Sequence, residues 1–277
     1  MPANLYATLA EYKAYAIARG QTASTDTADD GVINLLLESA ARYVDVQTRR
    51  QFYPTIETHL FDIPNDRHVY LDTDLLEVIT FSNGDSSAIA STNYTLRGFK
   101  APHWCISLKD ISSVSWITPV SGSSEQVISL NGIWGYHEQY LQRGWAQVGT
   151  LSAAITDTTT LAFSATTGHT ITAGQIIKIN DEFYNVVTAG ANTITPIKRG
   201  DNGSTAATHL ITTPVYAWQP MENAKQACIE IAHSAYNRRF GRNTGESATI
   251  TGAGIVLVPR DIPATAQAFI NAMVSLV

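Results

Sequence analysis

The stretch Thr25–Pro54, TDTADDGVINLLLESAARYVDVQTRRQFYP, reads as one helix with a marked start and an abrupt exit. Thr27 suits an N-cap, and Asp29 and Asp30 place negative charge where the first turn leaves backbone N–H groups unpaired. Val32, Leu36, Ala40, Tyr43 and Val44 recur at steps of three and four, so one face is apolar. Arg49 and Arg50 arrive at the far end, where cations complement exposed carbonyls. Phe52 and Tyr53 then lead into Pro54, which turns its predecessor away from helix and opens an extended run. Working outward, Thr8-Leu9-Ala10-Glu11 is a capping box that starts a shorter helix, with Leu9, Tyr12, Ala16 and Ile17 as its stripe and Arg19-Gly20 as its close. The polar link between the two helices is brief, so they are expected to pack as an antiparallel pair.

After Pro54 the period changes. Ile56, His59-Leu60-Phe61, Val69-Tyr70-Leu71 and Leu75 to Phe81 read as short strands, with Pro64-Asn65-Asp66 and Asn83-Gly84 as turns. Further strands are expected at Tyr94–Leu96, Cys105–Leu108, Val114–Ile117 and Gln126–Leu130. In Asn131-Gly132-Ile133-Trp134-Gly135-Tyr136, two glycines bracket a large ring, a bend that turns Trp134 to the core or to a neighbour. From about Gly149 to Trp218 the chain is rich in Thr, Ala and Gly, with short alternating runs and frequent turns, the pattern of a small β-barrel or sandwich. Helix returns after Pro220, with Ala224, Ala227, Cys228, Ile231, Ala235 and Tyr236 as its stripe. Arg238, Arg239 and Arg242 lie at its end. Ile255, Val256, Leu257 and Val258 form a brief apolar arm, and a last helix from Thr265 to Leu276 carries Ala268, Phe269, Ala272 and Met273 on one face.

The bulk numbers narrow the function. With 15% charged residues against a usual quarter, the surface suits contact with other protein over much of its area. A formal net charge of −6 argues against a general nucleic-acid binder, though not against a channel through which DNA slides. Cys105 and Cys228 match no redox or metal spacing and are expected as free, buried thiols. No apolar run approaches the ~18 residues of a membrane span and no signal segment is evident, so a soluble protein made in a reducing cytoplasm is expected.

The search for chemistry yields no catalytic, cofactor-binding or metal-ligating residues. Neither Gly-x-Ser-x-Gly nor Gly-Lys-Ser/Thr occurs, and no His-x-x-x-His is present. His59, Asp62, Asp66 and His68 straddle a turn and read as solvated; Asp72, Asp74 and Glu77 read as a wet strand mouth. Lys198-Arg199-Gly200-Asp201-Asn202-Gly203 reads as a hairpin turn, and His209 as a packing or hydrogen-bonding residue. Three roles are open to Arg49, Arg50, Arg238, Arg239 and Arg242: complementing helix ends, bridging subunits through bidentate ion pairs, or touching phosphates that pass through a lumen.

Several of these pieces, in this order, resemble the tailed-bacteriophage head–tail connector family of adaptor or head-completion proteins. They are Leu9-Ala10-Glu11-Tyr12-Lys13-Ala14-Tyr15, Thr27-Ala28-Asp29-Asp30 with the helix to Arg49-Arg50-Gln51-Phe52-Tyr53, Asp74-Leu75-Leu76-Glu77-Val78, Asn131 to Tyr136, and Arg238-Arg239-Phe240. The resemblance covers roughly residues 5–140 and 218–277. Gln47-Thr48 departs from the Cys and Gly that the family's second helix often carries there. Ile197 to His209 resembles a hairpin of small β modules in phage neck and tail proteins.

The resemblance implies a homo-oligomeric ring, commonly dodecameric, at the virion neck. It would dock beneath the portal protein, continue the channel for double-stranded DNA and receive the tail or a stopper, with no catalysis and no membrane. The expected fold is α+β: a helical connector core of residues 1–148 and 219–277, with short strands, into which a small all-β domain of residues 149–218 is inserted. The expected interface residues are Arg49, Arg50, Trp134, Arg238, Arg239, Arg242, Ile255, Val256, Leu257, Val258 and Phe269, with the C-terminal arm and final helix gripping the portal. Two other readings compete: a tail-side or baseplate structural protein that binds partners through the β module, and a glycan hydrolase working through Asp72, Asp74 and Glu77.

Overall fold

A computed structural model describes residues 4–19, 27–120, 122–239, 249–250, 256–257 and 262–275. Two helices come first, α1 (Leu9–Ala18) and α2 (Asp30–Thr48). Five strands follow: β1 (Thr55–Phe61), β2 (His68–Ser82), β3 (Tyr94–Arg97), β4 (His103–Leu108) and β5 (Ile128–Trp134). After a single turn of helix, α3 (Tyr140–Arg143), come six more: β6 (Trp145–Thr150), β7 (Phe163–Ser164), β8 (Ile176–Ile179), β9 (Glu182–Ala189), β10 (Thr193–Pro196) and β11 (Pro214–Trp218). The chain ends with α4 (Glu222–Arg239), a two-stranded ribbon of β12 (Thr249–Ile250) and β13 (Val256–Leu257), and α5 (Ala264–Met273).

The first group forms an antiparallel sheet in the order β1-β5-β2-β4-β3, the second an antiparallel sheet in the order β6-β11-β8-β9-β10-β7. These two sheets overturn the expected helical connector core with an inserted β module. Each sheet builds a core of its own: Val69, Leu71, Phe81, Ile106 and Leu130 in the first, Leu151, Phe163, Ile177, Tyr184 and Val215 in the second. The helices are few and form a third core on one flank, around Leu37, Val44, Phe52, Cys228 and Ile270. The physical reason is period. Residues 55–134 bury apolar side chains along extended runs long enough to pair into a five-stranded sheet, whereas helical stripes bury one line each.

Several local expectations change as well. The two runs Val69–Leu71 and Leu75–Phe81 are one strand, β2, whose register shifts between Tyr70 and Leu75. Its first part pairs with β4 and its second with β5, so Asp72-Thr73-Asp74 forms a corner. Val114–Ile117 makes no strand; Arg67 donates to the Val114 carbonyl and Asn83 to that of Ser115, which holds the segment as a loop. Thr27 does not cap α2, whose N-cap position is Asp29, and the carboxylate of Asp29 instead accepts from the Tyr236 hydroxyl. The Thr8–Glu11 capping box is present in both directions.

Of the expected stripe Val32, Leu36, Ala40, Tyr43 and Val44, Ala40 and Val44 are buried and Leu36 and Tyr43 pack against the same core; Ile33, Leu37 and Ala41 complete the buried face, which meets α4 and α5. Full burial of a residue such as Leu37 contributes about 1.5–3 kcal/mol. A fourth cluster brings Leu76 and Ile133 of the first sheet together with Ile176 and Phe183 of the second; in it Trp145 and Trp218 lie edge to face at 5.2 Å, and the Trp218 indole N–H donates to the Phe52 carbonyl at 3.0 Å. No helix among the described residues is long and apolar enough to cross a membrane.

Candidate functional site

A cleft of about 390 Å³ lies where the C-terminal end of α2 meets the five-stranded sheet. Its position follows from three local events. First, α2 ends because Arg49 takes a left-handed conformation with φ +54°, so the chain leaves the helix axis just before Pro54. Second, the β2 corner swings Asp72 and Asp74 out of the ladder toward that helix end. Third, Gly135 has φ +140°, and an added Cβ would lie 2.5 Å from the Tyr53 carbonyl oxygen, so only glycine lets β5 turn there beside the exit from α2.

The cleft floor is aromatic. Trp134 is buried, its indole N–H donates to the Glu57 carbonyl at 2.9 Å, and the His59 ring stacks on it at 3.9 Å with 16° between the planes. The bend around Trp134 therefore serves the core and, at one face, the cleft. The two ring nitrogens of His59 face the carboxylates of Asp72, at 3.2 Å, and Glu57, at 3.3 Å. Leu71 and the half-exposed Trp104 continue the apolar wall, and Val46 and Arg49 stand opposite on α2.

Arg50 is engaged inside the chain. Its Nη1 meets both oxygens of Asp74, at 2.7 and 2.8 Å, and its Nε donates to the Met273 carbonyl at 2.9 Å. The guanidinium also lies 4.4 Å from the centre of the Tyr136 ring. Burial raises the Asp74 carboxyl above its ordinary range even though Arg50 opposes the shift. Deeper in the wall, burial pushes Asp45 up to about 6, against the Tyr6 hydroxyl and Arg42, which favour its charge.

The other expected interface residues are not gathered here. Arg238 is exposed near the end of α4. Arg239 is the last residue of that helix, and its side chain lies outside the described residues, as do Arg242, Ile255 and Val258. Val256 and Leu257 form β13, paired with Leu257 opposite Thr249 and Val256 opposite Ile250. Phe269 is half-buried against Phe52, with ring centres 5.7 Å apart, and so serves the helical core.

Of the residues weighed for chemistry, His59, Asp72 and Asp74 meet at the cleft and the others lie apart. Asp62 accepts from the Gln126 amide, Asp66 from the His68 amide, and Glu77 from the Tyr140 hydroxyl. Among the described residues no group of three or more His, Cys, Asp or Glu is placed to hold a metal ion. Both cysteines are free and buried.

The segment Lys198 to His209 turns out to be an internal clamp rather than a simple hairpin. The Glu182 carboxylate is wholly buried and accepts from Arg199 Nε and Nη2, from the Gly200 and Ala207 amides and from His209 Nε2, all at 2.8–2.9 Å. With Nε2–H donating, His209 Nδ1 is left to accept from the Asn180 amide at 3.2 Å. Burial raises the Glu182 carboxyl, but these donors outweigh it and hold the group at about 2.

Sequence reasoning missed the pairing of His59 with Trp134 and the part played by Trp104, since residues 59, 104 and 134 meet only when β1, β4 and β5 share a sheet. It also passed over Phe99, which stands fully exposed between β3 and β4; an aromatic between Gly98 and Lys100 in a turn was the available signal. Comparison of the chain with protein-family models, with curated proteins and with solved structures finds no match in any of the three.

Proposed function

We propose that this chain is a structural subunit of the head–tail connector kind. It forms a homo-oligomeric ring, dodecameric as the resemblance implies, between portal protein and tail or stopper at the virion neck. The ring extends a channel for double-stranded DNA without sequence-specific contact, and no catalytic step or cofactor is part of its action. The observation that carries this reading is the apolar surface left in water: Phe99 and Val120 are fully exposed, Ile111 is 95% exposed, and Trp104 borders an aromatic cleft. An apolar-walled cleft with exposed loop side chains such as Phe99 supports contact with other protein.

Arg50 and Phe269 hold the subunit together. Ring and portal contacts are therefore assigned to Arg49, the cleft, the exposed loops and the Val256–Leu257 ribbon. Native mass spectrometry of the purified chain, with and without portal protein, tests the proposal. A ring that binds portal is the expected result. A monomer in both samples overturns the proposal, and a trimer would favour a tail-side or baseplate role.

A further inference from the structure

We propose that the cleft receives the β3–β4 loop of a second copy of this chain, with Phe99 entering beside Trp134 and Trp104 and the cations of Arg97 and Lys100 meeting Glu57 and Asp72. The inference rests on the ring reading above and names its subunit contact.

The loop has the form of a plug. Gly98, at φ +100°, turns the chain so that Phe99 projects fully exposed, and the neighbouring Arg97 and Lys100 are exposed too. The cleft has the form of a socket: its walls are largely apolar, and an aromatic ring seated in such a space buries about 150–250 Å². Charge selects this loop over the other exposed apolar one. The side chains of Glu57 and Asp72 are 52% and 67% exposed, and each faces the His59 ring. Asp74 is taken by Arg50, and Asp45 by Tyr6 and Arg42. Arg49 on the α2 side offsets one of the two remaining charges, so the rim stays acidic. The Ile111–Val120 loop adjoins Lys109 and Asp110, whose charges cancel, whereas Arg97 and Lys100 bring two positive charges.

Topology makes the contact directional. β3, which launches the plug, and β1, which carries Glu57 and His59, are the two outer strands of the sheet order. Trp104, which follows the plug loop on β4, also lines the socket, so the two unlike surfaces lie side by side; a plug from one copy in the socket of the next joins copies head to tail, and such contacts close into a ring when the rotation permits.

Cysteine cross-linking tests this, because both native cysteines are buried. One chain carries Phe99→Cys and a second carries Val46→Cys, at an exposed position on the cleft rim. On mild oxidation of the mixture, a disulfide-linked pair of the two chains is expected, with neither chain linking to itself. The doubly substituted chain should give a ladder up to the ring number. In unsubstituted cysteine background, Lys100→Glu should weaken association roughly two- to fivefold, and Glu57→Lys in the same chain should restore it. A mixture that fails to cross-link while the wild-type chain forms rings overturns this contact and leaves the ring standing. Phe99→Cys linking to itself also overturns it, in favour of a two-fold contact. A wild-type chain that stays monomeric overturns both the contact and the ring.

Discussion

Arg50 grips Asp74 through both carboxylate oxygens, at 2.7 and 2.8 Å, from a position just beyond the end of α2. The same side chain donates to the Met273 carbonyl and so complements the C-terminus of α5, a different helix from the one it follows. One guanidinium thus ties the exit of α2 to the β2 corner and to the last turn of the chain's final helix. The exit of α2, the first sheet and the end of α5 meet at this point, and the cleft opens beside it.

Replacing Arg50 by Ala leaves a partly buried carboxylate and a helix-end carbonyl without their donor. Urea unfolding is expected to show a loss of about 2–3 kcal/mol. Arg50→Lys should recover less than half of that, since one ammonium does not span Asp74 and Met273 with the guanidinium's fork. An unfolding midpoint unchanged in Arg50→Ala would show that the junction is held by packing alone.

Glu182 supplies the clearest acid-sensitive element. Its carboxyl is held at about 2, below its ordinary 4.5. The unfolded chain therefore takes up this proton first as the pH falls. The stability contributed by the Arg199–Glu182–His209 cluster is complete above about 4.5 and drains away as the pH drops toward about 2. Glu182→Gln should lower stability at neutral pH by about 3–5 kcal/mol, because Arg199 is left buried without its counter-charge. It should also flatten the acid limb of stability against pH, as followed by circular dichroism.

Gly203 sits where the Arg199–Gly203 loop crosses β1, and the amide of Ile56 donates to the Asn202 carbonyl at 2.8 Å. Its φ is +77°, and an added Cβ would lie 1.9 Å from the Ile56 carbonyl oxygen. Gly203→Ala is expected to cost more than about 2 kcal/mol, since the obstacle is backbone and φ is unfavourable for a side chain. Hydrogen exchange should quicken first at Ile56 and Asp201, where the two sheets are stitched together. Unchanged protection at Ile56 would contradict this assignment.

Asp45 works in the opposite direction from Glu182. Burial raises its carboxyl from 3.8 to about 6, so within that interval the folded chain keeps a proton that the unfolded chain has released. Stability is expected to fall as the pH rises through this window and to level off above about 6. Asp45→Asn, which keeps an acceptor for the Tyr6 hydroxyl, should remove the decline. Urea titrations across the interval measure it, and a persisting decline in Asp45→Asn would assign the titration to another group.

Much of this protein is determined by local chemistry and so is legible in the sequence. The Thr8–Glu11 capping box needs only residues three apart, and the start and stop of α2 need only the run from Asp29 to Pro54. The strand period from Thr55 to Trp134 likewise stands in the order of side chains, though not the weight those strands carry. Other features were settled only when distant segments met. The apolar residues of α2 offer two adjacent lines that share Ala40 and Val44, and packing with α4 and α5 buries Ile33, Leu37 and Ala41 beside them. Arg50 has the chemistry of a helix-end cation, but its partner at residue 273 lies 223 positions away. The cleft exists because residues 59, 72, 104 and 134 converge through sheet pairing and a corner in β2. Nothing in their spacing along the chain brings them together; long-range burial does.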